Sequence, residues 1–394
     1  MKRAFLNSDR LRVLVNGIHA KSGGGVTYLR NIMPLLAADD ELELHLFLHR
    51  DQFALFGTIH ERVRIHLLDF PAGFFSNLVW EQLALPIFAR VMRVDVTLSL
   101  ANYGPLAAPS QIIMLRNSLA VVGKETRLFK RLYWVGLTVM TALSLFASKR
   151  AIAVSRYARG ALSFGFGDQL QNKVAVVYHG VNEAFQPSTR DRSGDYLLAV
   201  SDIYVQKNLH TLIHALATVK KSFPDIVLKI AGRPIDAEYM AELEAVIAAE
   251  DLADSVEFLG MCGTSQLLHL YQDCKLFVFP STVETFGNPL VEAMACGAPI
   301  ASSNSAAMPE ILGNAAVFFD PLDTKDMADR IASLLADDAA RERLSRNALT
   351  RAQRFSWQLT AQQTADVIKS VVPDRYRQII KTAGSLRPQA EARP

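Results

Sequence analysis

Cysteine is scarce. Cys262, Cys274 and Cys296 are the only three in 394 residues. They are odd in number, sit in apolar surroundings and lack the paired spacing of a metal site. That excludes a disulfide framework and suits reduced thiols acting as core filler in a cytosolic protein. Met1 to Arg10 has no apolar core of the kind a secretory signal needs, so a cytoplasmic chain is expected. No basic run interleaved with aromatics occurs, which argues against nucleic acid as a partner. One uncharged run bears on membrane contact. Leu132 to Ser148 carries no charge and is flanked by Lys130, Arg131, Lys149 and Arg150. It is at the short limit for a membrane span, holds several small polar residues and leads straight into a strand-like run, Ala151 to Val154. A buried or interfacial helix is the expectation, with Arg127, Lys130 and Arg131 suited to an anionic bilayer surface.

Half of the chain is hydrophobic, enough for two cores, and its length favours two domains of similar size. Charge is uneven: residues 1–185 carry a net +8 and residues 186–394 a net −5, giving the overall +3. The first half should therefore attract anions, such as an acidic membrane surface or a lipid phosphate. Strand-like and helix-like segments alternate throughout, the pattern of α/β domains with mainly parallel sheets. Strands are predicted at Arg12 to Asn16, Glu43 to Leu48, Val63 to Leu67, Val94 to Leu98, Gln111 to Leu115, Arg150 to Val154 and Val174 to Val177. Helices are predicted at Val26 to Ala37 and Ser76 to Met92. A polar stretch, Gln186 to Gly194, reads as a linker, which sets a first domain at 1–185 and a second at 195–355. The second restarts with Tyr196 to Val200 and Ile226 to Ala231, and a helix at 356–371 follows it with Ser356 as N-cap. From about Lys381 a polar tail is expected to fray.

The most informative segment is Pro280 to Pro299. Lys275 to Phe279 reads as a buried strand and Leu290 to Cys296 as a short helix, so Glu284 falls in a loop at a strand's carboxyl end and Glu292 is expected two turns into the helix. Ligands of open α/β sheets bind at such ends, where free N–H groups and the positive helix terminus gather. Two carboxylates flanking a phosphate-binding turn suit a ligand with hydroxyl groups on either side of a phosphate, because carboxylates accept from paired hydroxyls. A nucleotide sugar has that form. With Glu284 and Glu292 set in Pro-Ser, Phe-Gly-x-Pro and Glu-Ala-Met-Ala-x-Gly-x-Pro, the segment resembles the signature of the family-4 retaining glycosyltransferases, glycosyl transferases group 1. The resemblance covers roughly 195–320 well and the first domain loosely.

It implies the GT-B fold: two Rossmann-like α/β domains facing across a cleft, with a C-terminal helix, here 356–372, crossing back to the first domain. It also implies that Glu284 faces the donor sugar, that Glu292 binds the ribose, and that N–H groups near Asn288 and Leu290, beside Phe286 and Gly287, hold the diphosphate. Glycosyltransferases of the other common fold use a metal held by Asp-x-Asp. That motif is absent from this sequence. The leaving diphosphate must then be met by side chains and helix ends, with no cofactor or metal. Lys207, ending the loop after Tyr196 to Val200, is the expected cation. The family's usual Arg six residues earlier is replaced by Ser201, which leaves Lys207 with more of the load. Gly23, Gly24 and Gly25, before a helix, resemble the loop that approaches the donor phosphates, with Asn16, Gly17 and His19 lining the same loop. The His often found after the fifth strand is replaced by Arg116 and Asn117, so any role for such a His is in doubt. Arg116 suits either an acceptor phosphate or a structural place. His19, Arg116 and Asn117 are the acceptor candidates. His179 reads as structural more than catalytic, Ser155 as a helix cap, Met261 as part of the base-recognising loop, and Gly232 as a point of close backbone approach.

The expectation is a metal-independent, retaining transfer of a hexose from a nucleotide diphosphate sugar to a lipid-linked or polysaccharide acceptor, at the inner face of the cell membrane. A non-catalytic donor-binding subunit and a nucleotide-sugar epimerase are the alternatives.

Overall fold

The computed structural model describes residues 10–372, apart from 22, 58, 72, 118–127, 165, 167, 168, 171 and 191. Lys124, Arg127 and the polar tail from Lys381 lie outside the described residues. Contacts divide the chain into two compact units, one running to Ala153 and including Leu162–Val177 and the chain from Gln358, the other comprising Val154–Ala161 and Tyr178–Trp357.

The first unit holds a seven-stranded parallel sheet built from β1 (Leu11–Asn16), β2 (Leu42–His49), β3 (Val63–Leu68), β4 (Val96–Ser99), β5 (Gln111–Leu115), β6 (Arg150–Ala153) and β7 (Val174–Val176). Its order is β3-β2-β1-β4-β5-β6-β7. The inner strand β5 is buried along its whole length, as a strand covered on both faces must be. Its helices include α1 (Gly23–Ala37), then α2 (Phe74–Val79), a π turn (Trp80–Ala84) and α3 (Leu85–Val91) in one continuous rod, and α4 (Leu128–Ala147). The single helix expected over 76–92 is thus interrupted by a π turn. Among the described residues no helix is long and apolar enough to cross a membrane.

The second unit opens with α5 (Arg156–Ala161). Its parallel sheet has the order β10-β9-β8-β11-β12-β13, from β8 (Tyr196–Val200), β9 (Val227–Ala231), β10 (Val256–Gly260), β11 (Leu276–Phe279), β12 (Ile300–Ser303) and β13 (Ala316–Phe319). Helices α6 (Leu209–Val219), α7 (Ala237–Ala249), α8 (Thr264–Asp273), α9 (Asn288–Ala295), α10 (Met308–Leu312), α11 (Thr324–Ala336) and α12 (Asp338–Ala352) cover it. The chain then runs into α13 (Trp357–Ser370), whose Thr364 hydroxyl meets the Tyr28 hydroxyl at 3.1 Å and whose Lys369 pairs with Asp39 and Glu41.

Residues 154–161 and 178–185 group with the second unit, whereas the polar linker places the first domain's end at 185. The Glu310 carboxylate accepts from the backbone N–H groups of Arg156 (2.7 Å) and Tyr157 (2.9 Å), and the Ser155 hydroxyl donates to the Thr285 carbonyl at 2.5 Å. A carboxylate on a helix N-terminus is favourable because the first N–H groups have no partner within the helix. Ser155 also caps its own helix, accepting from Ala158 N at 2.9 Å.

Both sheets reverse direction once. The chain lays down β1, β2, β3 outward and then returns to the far side of β1 with β4; β8, β9, β10 and β11 repeat the pattern. The switch points β1/β4 and β8/β11 are where the two adjoining loops diverge and leave a crevice at the strands' carboxyl ends.

Candidate active site

In the second unit the crevice is bordered by the loop after β8, whose last turn is a 3-10 helix (Val205–Lys207), and by the loop after β11. The Thr282 N–H donates to the Gln206 carbonyl at 3.0 Å, closing the two loops on each other. Asn208 fixes them to a third. Its backbone is left-handed (φ 56°), its Nδ2 donates to the carbonyls of Pro280 (3.1 Å) and Pro321 (2.7 Å), and its Oδ1 accepts from the Thr211 hydroxyl (2.7 Å). Asparagine tolerates that backbone and supplies both donor and acceptor from one side chain. In the sequence Asn208 reads only as a helix start, and its neighbour Lys207 is the visible signal.

Lys207 reaches Glu284, and their side chains form an ion pair. The ammonium also lies over the rings of Tyr204 (5.2 Å) and Phe279 (5.9 Å). Burial works against its charge, but Glu284 and Tyr204 outweigh burial, and the ammonium is held protonated above its ordinary value. The structure thus joins two predicted site residues 77 positions apart in sequence. Ser201 and Gly232 meet as well: the Ser201 N–H donates to Ala231 O at 2.9 Å, and Gly232, at φ +153°, lies against the Ser201 carbonyl. Met261 projects beyond β10, 77% exposed.

Gly287, left-handed at φ 88°, starts α9. Phe286 and Leu290 turn their side chains into the core, and the Leu290 N–H is already bonded to the Gly287 carbonyl at 3.0 Å. Asn288 Oδ1 lies 3.1 Å from His179 Nδ1, and the His179 ring is packed between Phe286 and Trp357. That packing gives His179 a structural place. Cys274 and Cys296 are buried free thiols, and burial pushes both up to about 12.

Glu292 falls one turn into α9, where two turns were expected, because the helix begins at Asn288. The Tyr271 hydroxyl donates to its carboxylate at 3.1 Å. Burial pushes Glu292 up to about 7 from 4.5, the tyrosine hydroxyl opposing. The folded state then holds this proton more tightly than the unfolded chain does. Stability falls as pH rises from about 4.5 to about 7, by roughly 3 kcal/mol in all, and is flat beyond. Glu292→Gln, which keeps the Tyr271 bond without a charge, should remove that slope and be more stable than the parent above pH 7. Urea unfolding at pH 5 and pH 8 checks this; equal losses of stability for both proteins across that interval would refute it.

In the first unit, Gly23, Gly24 and Gly25 form the opening turn of α1, where the sequence predicts a loop before the helix. Gly25 is the close approach: a Cβ there would sit 2.4 Å from an Arg116 guanidinium nitrogen. Arg116 and the glycine turn, two separate candidates, are thus neighbours. Burial pulls the Arg116 guanidinium down to about 10, still protonated at neutral pH, with Tyr28 opposing. Asn102, which the sequence does not single out, shapes this turn. Its Oδ1 accepts from the N–H groups of Arg116 (2.9 Å) and Asn117 (3.0 Å), and its Nδ2 donates to Asn117 O (2.7 Å).

Glu81 is a second residue that only the structure brings forward. It sits in the π turn with its side chain fully buried, accepts from Asn16 Nδ2 at 2.5 Å, and lies 3.2 Å from His19 Nε2. His19 also meets the Tyr103 ring edge to face at 5.0 Å. These groups gather at the β1/β4 switch point.

Residues 181–351 match the family described as Glycosyl transferases group 1. This part of the chain belongs to that family. Among curated relatives, the serotype-specific mannosyltransferase WbdA of Escherichia coli is 32% identical over 168 residues, 42% of this chain and 21% of WbdA. The match thus spans about a fifth of that relative's length. Among solved structures, sucrose-phosphate synthase from Thermosynechococcus elongatus superposes with a TM-score of 0.73 at 18% identity, over 95% of this chain and all of that one. Anabaena HepE, solved with UDP and glucose, gives 0.71 at 20% identity over 92% of this chain and all of that one. The fold is GT-B, with two Rossmann-like domains, as the resemblance implied.

Proposed function

We propose that the chain is a retaining, metal-independent glycosyltransferase that moves a hexose, such as mannose, from a nucleotide diphosphate sugar to a lipid-linked or polysaccharide acceptor in cell-surface glycan synthesis. The observation that carries this reading is Lys207 paired with Glu284 at the β8/β11 switch point, with Glu292 one turn into the helix that begins there. Lys207 would meet the charge left on the diphosphate as the glycosidic bond breaks, and Glu284, released from the pair, would accept from hydroxyls of the donor sugar. Glu292 would accept from the ribose. Gly25 and Arg116 would serve the donor phosphates or the acceptor. The mannosyltransferase name of WbdA and the UDP and glucose bound to HepE support a nucleotide-hexose donor. The absence of Asp-x-Asp supports metal independence, and the basic first half supports peripheral contact with an anionic membrane.

Thermal unfolding against a panel of nucleotide diphosphates and their sugars tests the donor site. One nucleotide should raise the melting temperature without added metal, by mass action equivalent to about 2.7 kcal/mol at a hundred times its Kd. Lys207→Ala and Glu292→Ala should abolish the shift. No shift with any ligand would remove the donor site, and a shift only with magnesium would remove metal independence. The anomeric configuration of the product, read by NMR, decides retention.

A further inference from the structure

We infer that one whole helical layer of the first unit is a docking surface for an anionic lipid bilayer, and that its principal contact is the α2–α3 rod, which reads in the sequence as an ordinary covering helix. Right-handed crossovers fix the layers. The connection from β1 to β2 runs one way along the sheet, while those from β3 to β4 and from β5 to β6 run the other way. Helix α1 therefore covers one face, and the α2–α3 rod and α4 together cover the opposite one. The two are joined edge to edge through Gly104: Gln82 Nε2 donates to its carbonyl at 3.1 Å, and the Ser144 hydroxyl accepts from its N–H at 3.2 Å.

The outer side of this layer is apolar. Along the rod, Phe75 (78%), Val79 (59%), Leu83 (64%), Ile87 (60%) and Val91 (75%) are exposed at every fourth position. Steps of four drift by about 40° each around a regular α-helix, which would wind the stripe away. The π turn, with more residues per turn, takes up part of that drift. All five side chains stay exposed across it, while Glu81 within it is buried. On α4, Val139, Leu143 and Phe146 are about half exposed, and Phe146 meets the exposed Phe166 edge to face. A patch of this extent on a globular domain marks an interaction surface.

Charge selects the occupant. Residues 73–93 and 128–150 contain a single acid, Glu81, and it is fully buried. Exposed basic side chains stand at the same ends of both helices, Arg90 in the last turn of the rod, Arg93 just after it and Lys149 after α4. An apolar stripe with a basic rim and no exposed acid matches the interface of an anionic bilayer. A second copy of the chain would bring its own basic rim against this one.

Flotation of the full chain with vesicles tests this. It should float with phosphatidylcholine vesicles containing phosphatidylglycerol at least tenfold more than with phosphatidylcholine alone, and salt should weaken the binding. The triple variant Val79→Glu, Leu83→Glu, Ile87→Glu should lose at least tenfold of that binding. Leu322→Glu, also at an exposed apolar position but in the second unit, should bind as the parent does. If the triple variant does not fold, Leu83→Glu and Leu143→Glu singly should each weaken binding. Three results would overturn the inference: no flotation with anionic vesicles, flotation unchanged in the stripe variants, or a dimer in light scattering that those variants dissociate. None depends on transfer activity, so a failure here is separable from a failure of the donor-site reading.

Discussion

Lys207→Ala is expected to lower glycosyl transfer by about a hundredfold to a thousandfold, the usual effect of removing one group that stabilises charge developing in a transition state. Lys207 is the cation at the β8/β11 switch point, protonated because Glu284 and Tyr204 outweigh its burial. Its removal has a second effect. Glu284, with 17% of its side chain exposed, loses its partner, and an uncompensated, partly enclosed carboxylate costs stability. The two effects separate when Lys207→Ala is added to Glu284→Ala, where no carboxylate is left to neutralise. If Lys207 served only to neutralise Glu284, its loss in that background would cost no further activity. If Lys207 meets the diphosphate, the double variant should turn over at least tenfold more slowly than Glu284→Ala alone. Equal kcat in the two would refute the assignment of Lys207 to the diphosphate.

Gly232→Ala is expected to destabilise the second unit by more than about 4 kcal/mol, at the extreme of single substitutions. Two costs coincide. At φ +153° an L side chain is strained, and its Cβ would lie 1.8 Å from the Ser201 carbonyl oxygen and 3.0 Å from Asp202 N. Those are backbone atoms, held by Ser201 N–H to Ala231 O at 2.9 Å and Ile203 N–H to Arg233 O at 2.7 Å, so no rotamer change relieves the contact. Gly136→Ala in α4 is the control. Nothing lies within 4 Å of the added methyl, and the gain in helix propensity should stabilise by up to about 1 kcal/mol. Denaturant unfolding reads both. A Gly232→Ala protein with an unchanged midpoint would show that the loops after β8 and β9 can separate freely.

Much of this was legible because it is local. Gln111 to Leu115 is read from composition alone and recurs as β5, and the other expected strands of the first unit recur within two residues at each end. Periodicity fails only where the backbone leaves its regular repeat. The segment 76–92 has the composition of one helix, and a reading by composition does not place the π turn in which Glu81 lies buried. A visible signal exists: apolar residues at 75, 79, 83, 87 and 91 keep steps of four longer than an α-helix can on one face. Asn102 and Asn208 gave less warning. An asparagine in a loop reads as a turn residue, and only the folded chain brings Arg116 and Asn117 to one, or Pro280 and Pro321 to the other.

By itself the sequence determined the α/β class, the two-sheet organisation, the placing of Glu284 and Glu292 on either side of one strand-to-helix turn, and the uneven charge, since all of these follow from residue type and spacing along the chain. Tertiary structure alone decided which groups meet: Lys207 with Glu284, Gly25 with Arg116, Glu81 with Asn16 and His19. It also decided that two helices far apart in sequence present one apolar layer. The physical reason is that strand order and crossover hand set which loops and faces become neighbours, and neither is written in any local stretch of residues.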